Sequence, residues 1–89
     1  MKFDPGRILA TPGALVAFEA SGEEPLAFLL RHINLDPGDL SPEDIQENQR
    51  SVENGWRILS AYRLSDGTRI WVVTESDRSA TTFLLPEEY

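Results

Sequence analysis

Cysteine is absent from this 89-residue chain, which excludes a disulfide scaffold, a thiolate metal site and a thiol nucleophile. No apolar run approaches the roughly 18 residues that a membrane-spanning helix needs, and residues 1–7 lack a signal-peptide pattern. Internal repeats, low-complexity segments and glycine-rich phosphate loops are also absent. We therefore expect one cytoplasmic domain over residues 1–89 that holds neither a cofactor nor a metal.

Positive charge is scarce in the middle of the chain. Residues 19–53 contain nine acids and two bases, so this segment alone carries the whole net charge of −7. The remaining residues contain six acids and six bases and sum to zero. Because a negative surface repels phosphates, direct nucleic-acid binding is not expected. The simplest interpretation of the acidic segment is a solvated helical surface that favours solubility.

Three helices are predicted from their end signals. Thr11-Pro12 and Ser41-Pro42 each place a capping hydroxyl before a proline at the first helical position, where no N–H is missed. Glu24-Pro25 begins the helix between them. The first helix should end at Ser21-Gly22 and the third at Asn54-Gly55, because glycine closes helices in the left-handed conformation.

Apolar spacing predicts which helix faces are buried. In the first helix, Leu15 and Phe18 lie three residues apart and should share a buried face. In the second, an i, i+3, i+4, i+7 stripe is formed by Leu26, Leu29, Leu30 and Ile33, and Phe28 widens it. The third helix has few apolar residues, chiefly Ile45 and Val52. We expect it to lie on the outside and to touch the core along a thin line.

The last third of the chain predicts an antiparallel meander. Its three strands are Trp56–Leu64, Thr68–Glu75 and Ala80–Leu85. A three-residue loop at Ser65-Asp66-Gly67 sets the first register and keeps the arginines on one face of the sheet. The second turn is Ser76-Asp77-Arg78-Ser79, and we expect the third strand to keep the same parity. Near the amino terminus, Ile8-Leu9-Ala10 is either an edge strand or an extended lead-in.

This register gives the sheet two apolar faces. The face assigned to the first two helices comprises Trp56, Ile58, Tyr62, Leu64, Ile70, Val72 and Leu84. The opposite face is the candidate interface and comprises Leu59, Trp71, Val73, Phe83 and Leu85, rimmed by Arg57, Arg63 and Arg69. Either the third helix and the amino-terminal segment cover it, or it is open to a partner. The predicted class is α+β, with two or three helices over residues 1–55 packed on a three-stranded antiparallel meander over residues 56–85.

The arginines of the candidate interface have two expected roles. Arg57 should face Glu75 across the hairpin as a cross-strand ion pair. Arg63 lies opposite Arg69, which is unfavourable unless an acid joins them, and we expect that acid from the third helix or from a second copy. Trp71 among arginines also favours base stacking by RNA, but the net charge opposes it.

The pattern favours a non-catalytic protein that acts through protein contacts, with itself or with a host protein. Trp71 and Phe83 would supply the aromatic anchors that are typical of interfaces. One alternative is an acidic DNA mimic that inhibits a restriction or regulatory protein. A second alternative is a small hydrolase that pairs His32, the only histidine, with Asp36 or Asp39. Otherwise His32 is a helix-end histidine, where the dipole favours a cation, bonded to loop backbone.

Motifs from Ala10 onward resemble a family of small bacterial proteins. They are Ala10-Thr11-Pro12-Gly13-Ala14-Leu15, Gly38-Asp39-Leu40, Glu43-Asp44, Asn48, Arg57-Ile58-Leu59-Ser60-Ala61-Tyr62, Asp66-Gly67-Thr68, Thr74-Glu75, Asp77-Arg78-Ser79, Thr81-Thr82 and Leu84-Leu85-Pro86-Glu87-Glu88-Tyr89. Members of this family often occur on plasmids and integrative elements. They carry the label "plasmid-related protein" or "type I restriction endonuclease subunit M".

The resemblance implies an association with mobile genetic elements but no established activity. The family loop commonly reads Gly-Asp-Trp-Gly-Asp, whereas this chain has Leu35-Asp36-Pro37-Gly38-Asp39, so no role of that tryptophan carries over. The label "subunit M" denotes a methyltransferase. This activity is not supported, because 89 residues cannot hold a nucleotide-binding Rossmann domain and a catalytic motif.

Overall fold

A short amino-terminal strand precedes the helices and joins the sheet formed by the last third of the chain. The computed structural model describes residues 2–36 and 38–89, so Met1 lies outside the described residues, as does Pro37 of the loop 35–39. The elements are β1 (Arg7–Ala10), α1 (Pro12–Ser21), α2 (Pro25–Ile33), α3 (Pro42–Asn54), β2 (Ile58–Arg63), β3 (Arg69–Thr74) and β4 (Ala80–Leu84), followed by a 3-10 turn at Pro86–Glu88. The α+β class is as predicted.

The helix ends follow the capping signals. The hydroxyl of Thr11 accepts a hydrogen bond from the Ala14 N–H, and the hydroxyl of Ser41 accepts one from the Asp44 N–H. Gly22 and Gly55 close α1 and α3 in the left-handed conformation, with φ of 74° and 70°. These local signals confirm the predicted helices to within a residue or two.

The sheet differs from the predicted three-stranded antiparallel meander, because it has four strands and is mixed. The strand order is β1-β4-β3-β2, and β1 pairs with β4 in parallel. Arg7 lies opposite Ala80, so the contact joins residues that are 73 positions apart in the chain. No turn sequence indicates a contact between residues so far apart. The antiparallel pairs β2–β3 and β3–β4, in contrast, are each joined by a short loop.

The first hairpin has the predicted register. Leu64 donates its N–H to the Thr68 carbonyl at 2.8 Å, and Arg63 lies opposite Arg69. Gly67 has a φ of 90°, which is the left-handed position that a three-residue loop requires. An odd number of loop residues places residues of the same parity opposite one another, so β2 and β3 keep their even-numbered side chains on one face.

The predicted parity of β4 is wrong. Trp71 lies opposite Leu84, and Val72 lies opposite Phe83. Four residues, 76–79, form the second loop, and an even number of loop residues reverses the parity. Phe83 therefore belongs to the helix-covered face and Leu84 to the opposite face, the reverse of the expectation. Trp56, also predicted for the helix-covered face, precedes β2 and is half exposed.

The core lies between the helices and one sheet face, which we call face A; the opposite face is face B. The buried core comprises Ala14, Ala17, Phe18, Phe28, Tyr62, Leu64, Ile70, Val72 and Phe83, with Ala10, Leu29 and Leu85 packed against it. Phe18 packs edge-on against Phe83 at a ring-centroid distance of 5.5 Å, and Phe28 lies 5.4 Å from the Tyr62 ring. Leu85 thus contacts the core instead of the candidate interface.

The buried faces of α1 and α2 are only partly those predicted. Phe28, Ile33 and Phe18 are buried as expected, and Leu29 packs against the core. Phe28 and His32, four residues apart, face the sheet, so Leu26 and Leu30 are exposed. Residues two positions apart on a helix point about 200° apart, which explains why both faces cannot be buried. In α1, Ala14 and Ala17 join Phe18 in the core while Leu15 is exposed. Small alanines bring this helix close to the sheet.

Helix α3 meets the sheet at the outer edge of β2 through polar groups. Its buried residues are Asn48 and Ser51, whereas Ile45 and Val52 are only partly buried. The Asn48 side chain donates to the Leu59 carbonyl and accepts the Leu59 N–H at 3.0 Å. Farther along the same edge, the Asp39 N–H donates to the Ala61 carbonyl at 2.8 Å. The predicted thin line of contact is therefore polar.

Candidate functional site

Face B carries most of the predicted interface. Leu59 and Trp71 are partly buried there, and Arg57, Arg63 and Arg69 are exposed. Val73 belongs to the same face but is only 4% exposed. Phe83 is absent from it, since its side chain is 1% exposed within the core of face A. Trp71 is thus the aromatic residue of the candidate interface that the strands place on face B.

The carboxyl-terminal residues 85–89, which we call the tail, cross part of face B. Glu88 anchors the tail, because its carboxylate accepts the Thr11 hydroxyl at 2.6 Å and the Leu85 N–H at 2.8 Å. These bonds lower the pKa of Glu88. The Tyr89 ring then meets Trp71 edge-on at 5.5 Å. The sequence left two alternatives for this face, cover by α3 and the amino-terminal segment or an open surface. The first is wrong, because the tail covers part of the face instead.

The arginine rim is paired unevenly. Arg57 forms the predicted cross-strand ion pair with Glu75 at 3.8 Å. Its guanidinium also donates to the Tyr89 hydroxyl. Arg63 pairs with Asp39 at 3.9 Å, so the joining acid comes from the loop before α3 rather than from α3 itself. Within residues 2–36 and 38–89, Arg69 forms no ion pair.

A cleft of about 180 Å³ opens beside Trp71 at the end of face B that the tail leaves clear. Its lining residues are Asp39, Leu40, Ala61, Tyr62, Arg69 and Trp71. The cleft therefore combines an indole, an aliphatic wall, the Asp39 carboxylate that pairs with Arg63, and a guanidinium that has no ion-pair partner among the described residues. A second cleft of about 300 Å³ lies along the tail and is lined by Thr11, Val73, Glu75, Thr82, Leu84, Glu88 and Tyr89.

His32 occupies a different place, inside the protein on face A, where it is 0% exposed. Its Nδ1 lies 2.6 Å from the Ser60 hydroxyl, and its Nε2 lies 2.8 Å from the Thr74 hydroxyl. The predicted bond to loop backbone is thus replaced by two side-chain bonds. The amino-terminal segment covers the site, since the Phe3 ring stands edge-on to the imidazole at 5.2 Å.

The hydrogen-bond chain assigns the imidazole tautomer. Thr81 donates its one hydroxyl proton to the Pro5 carbonyl at 2.7 Å, so Thr74 must donate to Thr81 across 2.6 Å. Thr74 then has no proton left and accepts from Nε2–H of His32. Nδ1 is left without a proton and accepts the Ser60 hydroxyl. Every member is satisfied only when His32 is neutral.

Burial decides the protonation of His32. It lowers the pKa of this side chain to about 4, because the charged form loses its hydration. The favourable dipole at the end of α2 is worth roughly 0.3–1 kcal/mol at an exposed site, which is too little to offset that loss. The preference of the helix dipole for a cation at this position is therefore outweighed by burial.

The structure does not bring His32 together with Asp36 or Asp39. Asp36 pairs with Arg31 at 2.8 Å, which lowers the pKa of the carboxyl, and Asp39 pairs with Arg63. Both aspartates are exposed, while both imidazole nitrogens bond to interior hydroxyls. Within the described part of the chain, no three histidine, aspartate or glutamate side chains converge as metal ligands would.

Two features of the structure had weak signals in the sequence. Ser60, Thr74 and Thr81 are the hydroxyl residues that line up with His32 on an otherwise apolar face, and only the register reveals them. The second is Arg78, which has a positive φ of 61°. Its guanidinium donates to four backbone carbonyls, those of Ser51, Trp56, Glu75 and Ser76. Arg78 thereby ties the end of α3 to the β3–β4 turn.

Comparisons with known proteins give no assignment: no family model matches the chain, and neither the curated proteins nor the solved structures contain a match. The resemblance to the plasmid-related family therefore stays a prediction. No helix among residues 2–36 and 38–89 combines the length and apolar character needed to cross a membrane.

Proposed function

We propose that this chain is a non-catalytic interaction protein whose cleft beside Trp71 docks a partner protein. The observation that carries the proposal is the juxtaposition of Trp71 and Arg69 in an open cleft, where Arg69 has no ion pair within the described residues. Tryptophan and arginine are the residues most enriched among those that dominate binding energy at protein interfaces.

The chemistry of the cleft indicates the kind of segment that would bind. Trp71, Leu40 and Ala61 offer an apolar wall, and Arg69 offers a charge that a carboxylate would neutralise. An apolar side chain next to an acidic residue would satisfy both, whether it belongs to a host protein or to a second copy. A bidentate carboxylate on Arg69 would also offset its repulsion from Arg63, its cross-strand neighbour.

The position of the perturbed groups supports a role without catalysis. Among the described residues, the groups with strongly shifted pKa values are His32, whose pKa burial lowers to about 4, and Tyr62, whose pKa burial raises to about 12. Both are in the interior, and each is bonded within the fold. A general acid or base must reach substrate, so the alternative of a hydrolase using His32 lacks support from this geometry.

The DNA-mimic alternative keeps one supporting observation. Helix α3 exposes four acids, Glu43, Asp44, Glu47 and Glu53. Arg50 lies among them and pairs with Glu47 at 3.7 Å, which reduces the charge of this surface. Loss of inhibition after neutralising Glu43, Asp44 and Glu47 would support a mimic; binding to the cleft is the function we favour. From the family resemblance we propose that either role serves a mobile genetic element in the cytoplasm.

Matched variants test the docking proposal. Tagged protein is used to capture partners from the cells that encode it, and bound proteins are quantified by mass spectrometry. Trp71→Ala and Arg69→Glu should each reduce a specific partner by about tenfold or more, equivalent to about 1.4 kcal/mol of binding. Trp56→Ala and Arg50→Glu alter the same residue types outside the cleft and should retain that partner. If all four variants capture the same proteins as the wild type, docking at this cleft is wrong.

A further inference from the structure

The outer edge of β1 is open. Arg7 and Thr11 donate their N–H groups to Ser79 and Phe83, so the odd-numbered residues of this segment face β4. The N–H and C=O groups of Ile8 and Ala10 therefore point away from β4, since ladder directions alternate along a strand. None of these four groups has a partner within residues 2–36 and 38–89.

The opposite edge of the sheet is covered along Leu59 and Ala61. At β2, Asn48 pairs with both backbone groups of Leu59, and Asp39 donates to the Ala61 carbonyl. Open strand edges are templates for pairing with another chain, and proteins commonly cover them. Here one edge is covered by side-chain and loop contacts, while the other presents unpaired groups beside apolar side chains. Ile8 is 46% exposed and Leu9 is 41% exposed.

We infer that the outer edge of β1 pairs with the same edge of a second copy, in antiparallel register with Leu9 on the two-fold axis. The free groups belong to two residues separated by one position. When the strand is placed antiparallel to itself, Ile8 lies opposite the Ala10 of the second copy, and Ala10 opposite its Ile8. All eight free groups then pair, which gives four hydrogen bonds, and Leu9 meets Leu9.

Two properties favour a second copy of this chain as the partner of the β1 edge: the low charge near β1, and a pairing that ends at two chains. Residues 1–18 contain two bases and one acid and sum to +1, so the acidity of the molecule lies elsewhere in the sequence. Arg7, the only charged residue of β1, would face the uncharged Thr11 of the second copy. Because Leu59 and the Ala61 carbonyl of each β2 edge keep their contacts with α3 and the Asp39 loop, we expect pairing to end at two chains rather than to continue into a fibre.

The size of the contact sets its strength. A four-residue strand buries far less than the roughly 1,200 Å² of a stable interface, so the dimer should be weak and concentration-dependent. Pairing would join two sheets into one of eight strands, with Leu9 extending face B across the axis. This inference does not rest on docking at Trp71, because the edge and the cleft share no residue.

The absence of cysteine allows a direct test of the register. Leu9→Cys places a thiol on the axis, where the opposed Cα atoms of a non-hydrogen-bonded pair lie about 4.5 Å apart, within reach of a disulfide. Ile8→Cys is equally exposed but faces Ala10 in the pairing, and Val16→Cys on α1 measures random collision. Under mild oxidation, Leu9→Cys should form covalent dimers about tenfold faster than either control. Equal rates, or faster coupling of Ile8→Cys, would overturn the inference.

Sedimentation velocity gives an independent result without oxidation. The wild type should sediment faster as its concentration rises to about 1 mM, the range expected for a small interface. Leu9→Lys places two like charges on the axis and should abolish that rise, while Leu26→Lys on the exposed side of α2 should preserve it. Circular dichroism checks that each variant is folded. A wild type that stays monomeric throughout, or a loss with Leu26→Lys as well, would contradict the pairing.

Discussion

The side-chain amide of Asn48 pairs with both backbone groups of Leu59, so that a helix residue takes the place of a neighbouring strand. This contact attaches a largely polar helix to the sheet edge without an apolar seam. It also decides which edge of the sheet is open. The asymmetry between a covered β2 and an open β1 follows from this one amide and from the loop at Gly38 and Asp39.

Replacing Asn48 should destabilise the protein more than replacing an exposed asparagine on the same helix. Asn48→Ala leaves two backbone groups of Leu59 unpaired, so we expect a loss of about 1–3 kcal/mol in the free energy of unfolding. Asn54→Ala removes a single bond to the Arg50 carbonyl at the exposed helix end and should cost less than about 1 kcal/mol. Urea unfolding measures both. Equal losses would show that α3 does not cover the edge.

Stability should fall as the pH is lowered through the range in which the unfolded chain, but not the folded protein, protonates His32. The ordinary pKa is 6.5, and the folded value is about 4. Between these values the unfolded state binds more protons, so the free energy of unfolding decreases as the pH decreases. Below pH 4 the loss would be complete, on the order of 3 kcal/mol.

A non-titrating variant isolates this contribution. His32→Gln can still bond to both hydroxyls but cannot gain a proton, so its stability should change less between pH 6.5 and 4.5 than that of the wild type. Exposed carboxyls such as Asp36, whose pKa is lowered by Arg31, titrate in both proteins and cancel in the comparison. Parallel pH profiles for the two proteins would mean that His32 is not held neutral by burial.

Gly38 should tolerate alanine less well than Gly22, although both have a φ of 74°. At Gly38 an added Cβ would lie 2.1 Å from the Ala61 carbonyl oxygen, whereas at Gly22 it would meet nothing within 4 Å. Gly22→Ala should therefore cost only the left-handed backbone penalty, about 1–2 kcal/mol. Gly38→Ala adds a clash with β2 and should exceed it. Thermal unfolding of the two variants measures the difference. Similar melting temperatures would contradict the close approach of Gly38 to β2.

Arg78 should matter for stability more than Arg50, an exposed arginine that forms one ion pair. Its guanidinium donates to four carbonyls of α3 and the neighbouring turns, and these charge-assisted bonds have no substitute. We expect Arg78→Ala to lower the free energy of unfolding by about 2–3 kcal/mol. Arg50→Ala, which removes one exposed ion pair, should change it by less than about 1 kcal/mol. Chemical denaturation of the two variants provides the comparison.

The features that were predicted correctly are those that a few neighbouring residues determine, namely helix ends and a hairpin loop. The caps at Thr11, Ser41, Gly22 and Gly55 and the three-residue loop ending at Gly67 are encoded within a few residues, and each is confirmed. The parity of β4 depended on whether a loop had an odd or even number of residues. The expectation of unchanged parity moved Phe83 and Leu84 to the wrong faces.

Contacts of long range could not be predicted in this way. The parallel pairing of β1 with β4 and the return of the tail over Trp71 join distant segments without a connecting turn. The buried hydrogen-bond chain around His32 could not be predicted for the same reason, because Ser60, Thr74 and Thr81 come from three different strands. Of the candidate interface, Trp71 and the arginines were placed correctly on face B, and Phe83 was not.

Site-specific photo-cross-linking in cells tests docking at the Trp71 cleft most directly. A benzophenone amino acid at Leu40, which lines the cleft, should form an adduct with one partner protein or with a second copy. Adding Arg69→Glu should abolish that adduct, and the same probe at the exposed Leu26 should not form it. No adduct at Leu40, or the same adduct from Leu26, would contradict the proposal that this cleft is where the protein acts.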